Sequence, residues 1–95
     1  MARIRTHPGE VLAEDYLKPL GLSAEALGKA IGVASAGIGD LVERRRALSA
    51  DMAVRLGLYF GVDPRFWLNL QAEYELSRAE AEHDYSGVLR RAAAG

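Results

Sequence analysis

Cysteine is absent from this sequence, which removes disulfide frameworks, thiolate metal sites and cysteine nucleophiles together and points to a reducing, cytoplasmic setting. Histidine occurs only at His7 and His83. With no cysteine or clustered carboxylate beside them, neither builds a metal site of recognisable spacing, and each reads as a cap or surface residue. No cofactor is expected. Apolar runs stay far short of the roughly 20 residues that a membrane span requires, and Met1 to His7 lacks the apolar stretch of a signal peptide, so no membrane partner is expected either. Excess charge of one sign is also missing. With a net charge of -1 and a pI near 6.1, attraction to a polyanion has to come from local clusters. Alternating apolar and polar stretches that would signal strands are lacking as well.

The same scarcity bears on catalysis. The acidic pairs Glu14-Asp15 and Glu80-x-Glu82 have no recognisable concave surround to shift their pKa values and read as solvated faces. Gly32 and Gly37-x-Gly39 follow no strand, so a phosphate-cradling nucleotide loop has little support. An enzyme, or a protein with a small-molecule substrate, is not expected.

What is present is helix punctuation. At 95 residues, 49% of them hydrophobic and 26% charged, the chain can bury one modest core. His7-Pro8-Gly9-Glu10 opens a first helix, with proline at the first helical position and Glu10 placed to bond back to the cap; Pro19 should end it near Leu17 or Lys18. Its apolar face carries Val11, Leu12 and Tyr16, with Leu20 packing from the next turn. Ser23 caps a second helix presenting Leu27, Ala30 and Ile31, stopped by Gly32. A third starts near Ala34 or Ser35, with Ile38, Leu41 and Val42 inward. Ser49 caps a fourth, whose stripe is Met52, Ala53, Leu56, Tyr59 and Phe60, closed by Gly61. Asp63-Pro64 opens the longest, which runs to about Glu82 with Trp67, Leu70, Gln71 and Tyr74 on one face. No internal repeat is read. The expectation is an all-α, five-helix helix-turn-helix domain over residues 1–82, with a loosely held C-terminal extension over 83–95.

Function concentrates between Leu22 and Leu41. Two short helices that cross steeply need a small residue at the contact, which Gly28 supplies, and a left-handed turn, which Gly32 supplies. Such a pair can lay its second helix in the major groove of DNA. Arg44, Arg45 and Arg46 follow at once, where phosphate contacts are made, and Ser23 begins a helix whose amides can meet a phosphate. Arg3 and Arg5 are read as a minor-groove arm. An ordinary helical hairpin inside a bundle would use the same caps and the same stop.

His7-Pro8-Gly9-Glu10 with Leu12, Leu20-Gly21-Leu22-Ser23, Gly32-Val33, Ser49-Ala50-Asp51-Met52-Ala53, Arg55-Leu56 and above all Phe66-Trp67-Leu68-Asn69-Leu70-Gln71 carry a resemblance over nearly the whole chain: it resembles the HigA family of antitoxins within the larger Xre-type helix-turn-helix proteins. The resemblance implies a lambda-repressor-like domain that forms a homodimer, represses its own promoter by binding double-stranded operator DNA, and neutralises a small HigB-like toxin that cleaves messenger RNA on the ribosome.

Two departures stand out. On the third helix, where relatives usually carry Arg, Gln or Asn, this sequence has Ser35, Ala36, Gly37, Gly39 and Asp40, none of which makes a bidentate contact to guanine or adenine. Arg44 stands where relatives often have the glycine that closes this helix, so the helix is expected to run slightly longer. Affinity is accordingly assigned to the three loop arginines, with shape readout dominant; modest reading by Ser35 and Ala36, or loss of DNA binding, remain open alternatives. Phe66, Trp67, Leu70 and Tyr74, with Tyr85, Val88 and Leu89 of the extension, are read as core, dimer interface or both. Asn69 and Gln71 should bond backbone groups or a partner. Two rival functions also stay open, a stand-alone repressor without a toxin and a protein-interaction module that has lost DNA binding.

Overall fold

The computed structural model describes residues 3–92; Met1 and Ala2 of the N-terminal segment, and Ala93 to Gly95 of the expected extension, lie outside the described residues. Five helices follow one another, with no strand among those residues. Helix α1 comprises Pro8–Val11, a π-helical stretch Leu12–Leu17 and Lys18–Leu20 in succession. Then come α2 (Ala24–Ile31), α3 (Ser35–Val42), α4 (Ala50–Phe60) and α5 (Pro64–Glu82).

Pro19 does not end α1 where the sequence reading put the stop. The helix widens instead, the Lys18 N–H donating to the Ala13 carbonyl five residues back, and continues to Gly21. A proline cannot donate and its ring crowds the carbonyl four residues earlier, and a π-turn loosens both demands. The wider turn also re-aims the last residues: Tyr16 and Leu17 pack on the core, whereas Leu20 stands 64% exposed rather than packed.

A short internal echo that the sequence reading missed organises the rest. Gly28-x-x-x-Gly32-Val33 and Gly57-x-x-x-Gly61-Val62 build the same corner twice, from α2 into α3 and from α4 into α5. In each, the second glycine is left-handed, at φ 76° and 70°, and the valine N–H returns to the carbonyl of the first glycine at 2.9 and 3.0 Å. In each, a Cβ on the first glycine would stand 2.6 or 2.5 Å from the valine carbonyl oxygen. The helix that follows can pass this close only because no side chain intervenes.

The core between these corners comprises Leu12, Leu27, Ile31, Ile38, Leu41, Leu48, Met52, Ala53, Leu56 and Trp67. Trp67 is completely buried against Tyr16 and Phe66, at ring-centroid distances of 5.1 Å each, so it belongs to the interior of its own chain and offers no surface to a partner. Tyr59 is 45% exposed and Ala30 is also exposed, so the stripes of α4 and α2 are narrower than their periodicity suggested. Over the described residues 83–92 no helix is formed, and all of them are exposed.

The tightest contact is made by Gly9. A Cβ there would lie 1.8 Å from the Leu41 carbonyl oxygen of α3, so the first turn of α1 rests backbone on backbone against the helix that carries the site. Gly9→Ala forces these helices apart and should cost about 3 kcal/mol, overpacking against rigid backbone lying at the high end of such effects. Urea unfolding of the two proteins measures it, and the midpoint should fall without a change in slope.

Candidate nucleic-acid interface

Ser23 and Gly32 bound the first half of the motif as its local chemistry dictates. The Ser23 hydroxyl accepts the Ala26 N–H at 3.0 Å, leaving other amides of the first turn of α2 open to solvent. Helix α3 turns Ile38 and Leu41 into the core and presents Ser35 and Ala36 outward, with Gly37, Gly39 and Asp40 half-buried along its flanks. A Cβ at Gly39 would meet nothing within 4 Å. The outward face of α3 is therefore uncovered by its own chain.

Three fasteners from elsewhere in the chain hold this motif; the sequence offered His7 as a cap and Gln71 as a bond to backbone, but gave no such role to Arg55. Arg55 of α4 donates Nη1–H to the Ile31 carbonyl at 2.7 Å and the Gly32 carbonyl at 3.4 Å, while its Nε–H donates to Asp51 at 2.8 Å. It caps the C-terminal end of α2, where the helix dipole favours a cation. Gln71, buried in α5, accepts the Leu48 N–H at 2.8 Å and ties down the loop that follows α3. Gln71 thus bonds backbone as expected, but its neighbour Asn69 is exposed and needs no such partner. His7 is the third fastener, and its Nδ1 accepts the Gly9 N–H at 2.9 Å. This replaces the expected capping box, since Glu10 turns away to pair with Arg44.

The arginine run is more structured than a solvated loop. Helix α3 stops at Val42 and does not lengthen; Arg44 itself takes the left-handed conformation, φ 62°, with the Arg45 N–H closing on the Asp40 carbonyl at 2.8 Å. Arg44 pairs with Glu10 at 3.1 Å, and Arg45 with Asp40 at 3.1 Å and Glu43 at 2.6 Å. Asp40 and Glu43, the two acids at the end of α3, are thereby matched with a cation. All of these groups are about half exposed and screened by solvent, so each pair is weak and can be exchanged for a phosphate. Arg46 makes no ion pair among the described residues, and its Nη1 lies 2.8 Å from where a Gly37 Cβ would be.

Arg3 and Arg5 are placed differently from a free arm. The extended segment before α1 is fastened along α5, the Arg5 N–H donating to the Ser77 hydroxyl at 2.8 Å, and both arginines line a shallow concavity with Glu73 and Glu80. Among the dimer-interface candidates, Phe66 is 38% exposed, Tyr85 50%, Val88 73% and Leu89 88%, while Leu70 and Tyr74 are half-buried and Tyr74 packs edge-on to His7. Among the described residues no helix is long and apolar enough to cross a membrane, and no three potential metal ligands cluster.

This arrangement has close counterparts. A family model described as Helix-turn-helix matches residues 14–67. Virulence-associated protein I of Dichelobacter nodosus is 51% identical over 83 residues, 87% of this chain and 77% of that protein. Among solved structures, the antitoxin GraA in complex with its operator superimposes with a TM-score of 0.91 at 40% identity, covering 99% of this chain and 97% of that one. The Pseudomonas aeruginosa antitoxin HigA with the higBA promoter gives 0.77 at 40% identity, covering 88% and 98%.

Two measurements probe the fasteners. Burial of the His7 ring, then the Arg44 guanidinium and more weakly that of Arg78, hold the imidazole below its ordinary value of 6.5, against a smaller opposing pull from the Arg46 backbone. Above 6.5 the folded and unfolded chains both carry neutral histidine; below it the unfolded chain binds the proton first, so stability falls as pH drops through this window. Thermal melts between pH 7.5 and 5.5 should show that fall, and His7→Asn, which keeps a cap without a titrating ring, should flatten it. Arg55→Ala should cost about 2 kcal/mol in chemical denaturation, because charge-assisted bonds to two carbonyls are lost.

Proposed function

The chain belongs to the Xre-type helix-turn-helix family, with HigA-type antitoxins among its relatives, and we propose that it acts as the antitoxin of a type II toxin-antitoxin module: a homodimer that binds operator DNA upstream of its own gene and neutralises a HigB-like toxin that cleaves messenger RNA. The observation that carries this reading is the uncovered face of α3 flanked by Arg44, Arg45 and Arg46, in a chain that superimposes end to end on an antitoxin bound to its operator. Two copies would present their α3 helices about 34 Å apart, one turn of DNA, which implies a palindromic operator. Phe66 and the exposed apolar residues Tyr85, Val88 and Leu89 are the candidates for the surface between copies.

In this mechanism Arg44 and Arg45 exchange their carboxylate partners for phosphates, releasing condensed counterions, while the N-terminal end of α2, capped by Ser23, points amides at the backbone. Ser35, the Ala36 methyl and the bare positions Gly37 and Gly39 lie nearest the bases. A stand-alone regulator would share the DNA chemistry and lack the toxin.

Mobility shifts on the upstream DNA over a series of salt concentrations test the first half. Affinity should drop steeply with salt, and replacing Arg44, Arg45 and Arg46 together with alanine should weaken binding roughly tenfold or more. Unchanged affinity in that variant, or no shift by the wild type, would remove the operator reading. Co-expression with an adjacent small gene tests the second half: growth rescue and co-purification are expected, and their absence leaves only the regulator.

A further inference from the structure

If α3 is the helix that enters the groove, it does so with almost nothing to read with. Ser35 and Ala36 are short, Gly37 and Gly39 bare, and Asp40 already accepts from Arg45. Direct discrimination among base pairs, as distinct from shape readout, requires a side chain that presents a fixed pattern of donors or acceptors to a base edge. The site must therefore draw that group from outside the helix or go without it.

The three loop arginines are not equivalent. Arg44 is engaged by Glu10, and Arg45 by both Asp40 and Glu43. Arg46 has no hydrogen-bond or ion-pair partner for its guanidinium among the described residues; the one carboxylate lining the same concavity, Asp51, accepts from Arg55. The Arg46 side chain turns back along α3 and seats its guanidinium on Gly37, Nη1 occupying space that any residue with a Cβ would contest. The concavity also includes Val33 and Ala34, at the N-terminal end of α3. That end of a recognition helix is the one that meets base edges.

We propose that Arg46 is the sequence-reading residue of this interface, a guanidinium supplied from the loop, seated on Gly37 at the flank of α3 and offered to a guanine through its O6 and N7 acceptors. The planar fork of five donors suits that bidentate contact, and an unpaired guanidinium gives up no internal ion pair to make it. Gly37 then has a local reason to be glycine, as the seat of the arginine. The inference rests on the operator-binding reading and adds which residue confers selectivity.

The test uses the full chain on two duplexes, the DNA upstream of its coding region and the same composition scrambled, each titrated by fluorescence anisotropy at several salt concentrations. Wild type that fails to discriminate refutes operator binding itself. Given discrimination, Arg46→Ala should lose roughly tenfold or more on the operator and little on the scrambled duplex, and become indifferent to one G·C pair per half-site to which wild type is sensitive. Gly37→Ala, which displaces only the end of a flexible side chain, should shift selectivity the same way while thermal melting stays at or above the wild-type value. Equal weakening on both duplexes by Arg46→Ala, with the salt slope reduced by about one, would identify a phosphate contact and overturn the proposal. So would a Gly37→Ala variant with wild-type selectivity.

Discussion

The Leu41 carbonyl oxygen occupies the space where residue 9 would carry a side chain, and the rest of the structure follows from that closeness. Because the first turn of α1 rests directly on the backbone of α3, α3 is supported from behind along its inner side and its opposite face is left free. His7 caps that same turn, Pro8 fixes its first dihedral and Glu10 reaches across to Arg44. Four consecutive residues thus perform four tasks at one junction: cap, start, contact and charge partner. An interior packed at crystal-like density transmits any change at such a junction to the helix it supports.

Support from behind is matched by restraint at both ends of α3. Arg55 secures the carbonyls that precede it and Gln71 secures the amide that follows its loop. The result is a short helix with weak propensity of its own, carrying two glycines, whose position is set by groups outside it. Glycines at such positions cost about 1 kcal/mol each relative to alanine in an isolated helix. Tertiary fastening compensates for that deficit, which explains how a helix so poor in side chains holds a defined place.

The element boundaries were legible in the sequence because they depend on neighbours in the chain: Ser23, Ser49 and Asp63 as caps, Gly32 and Gly61 as stops, Pro64 at a first helical position. The motif between Ser23 and Glu43 was legible for the same reason. What escaped were pairings between elements 20 or more residues apart, such as Arg55 with Ile31 and Gln71 with Leu48, which need the helices placed before they exist. The end of α3 was misread because one residue type was expected to lengthen it, whereas the backbone turned left-handed at Arg44 regardless. Asn69 and Gln71 differ in burial although both lie in one apolar stretch, because two residues rotate a helix by about 200° and point them to opposite sides. The arginine run announced positive charge but not its division into two compensated cations and one open one, which arises only when Glu10, Asp40 and Glu43 come within reach.

That left-handed arginine has one more consequence. An L-residue in this conformation costs about 1–2 kcal/mol, which glycine would avoid. The free monomer therefore holds its cationic loop in a slightly uphill geometry, and the bend that results throws three successive guanidiniums onto divergent paths instead of continuing them around a cylinder. A continued helix would have wound that charge around one axis; this ending spreads it like fingers, each set against a different chemical neighbour.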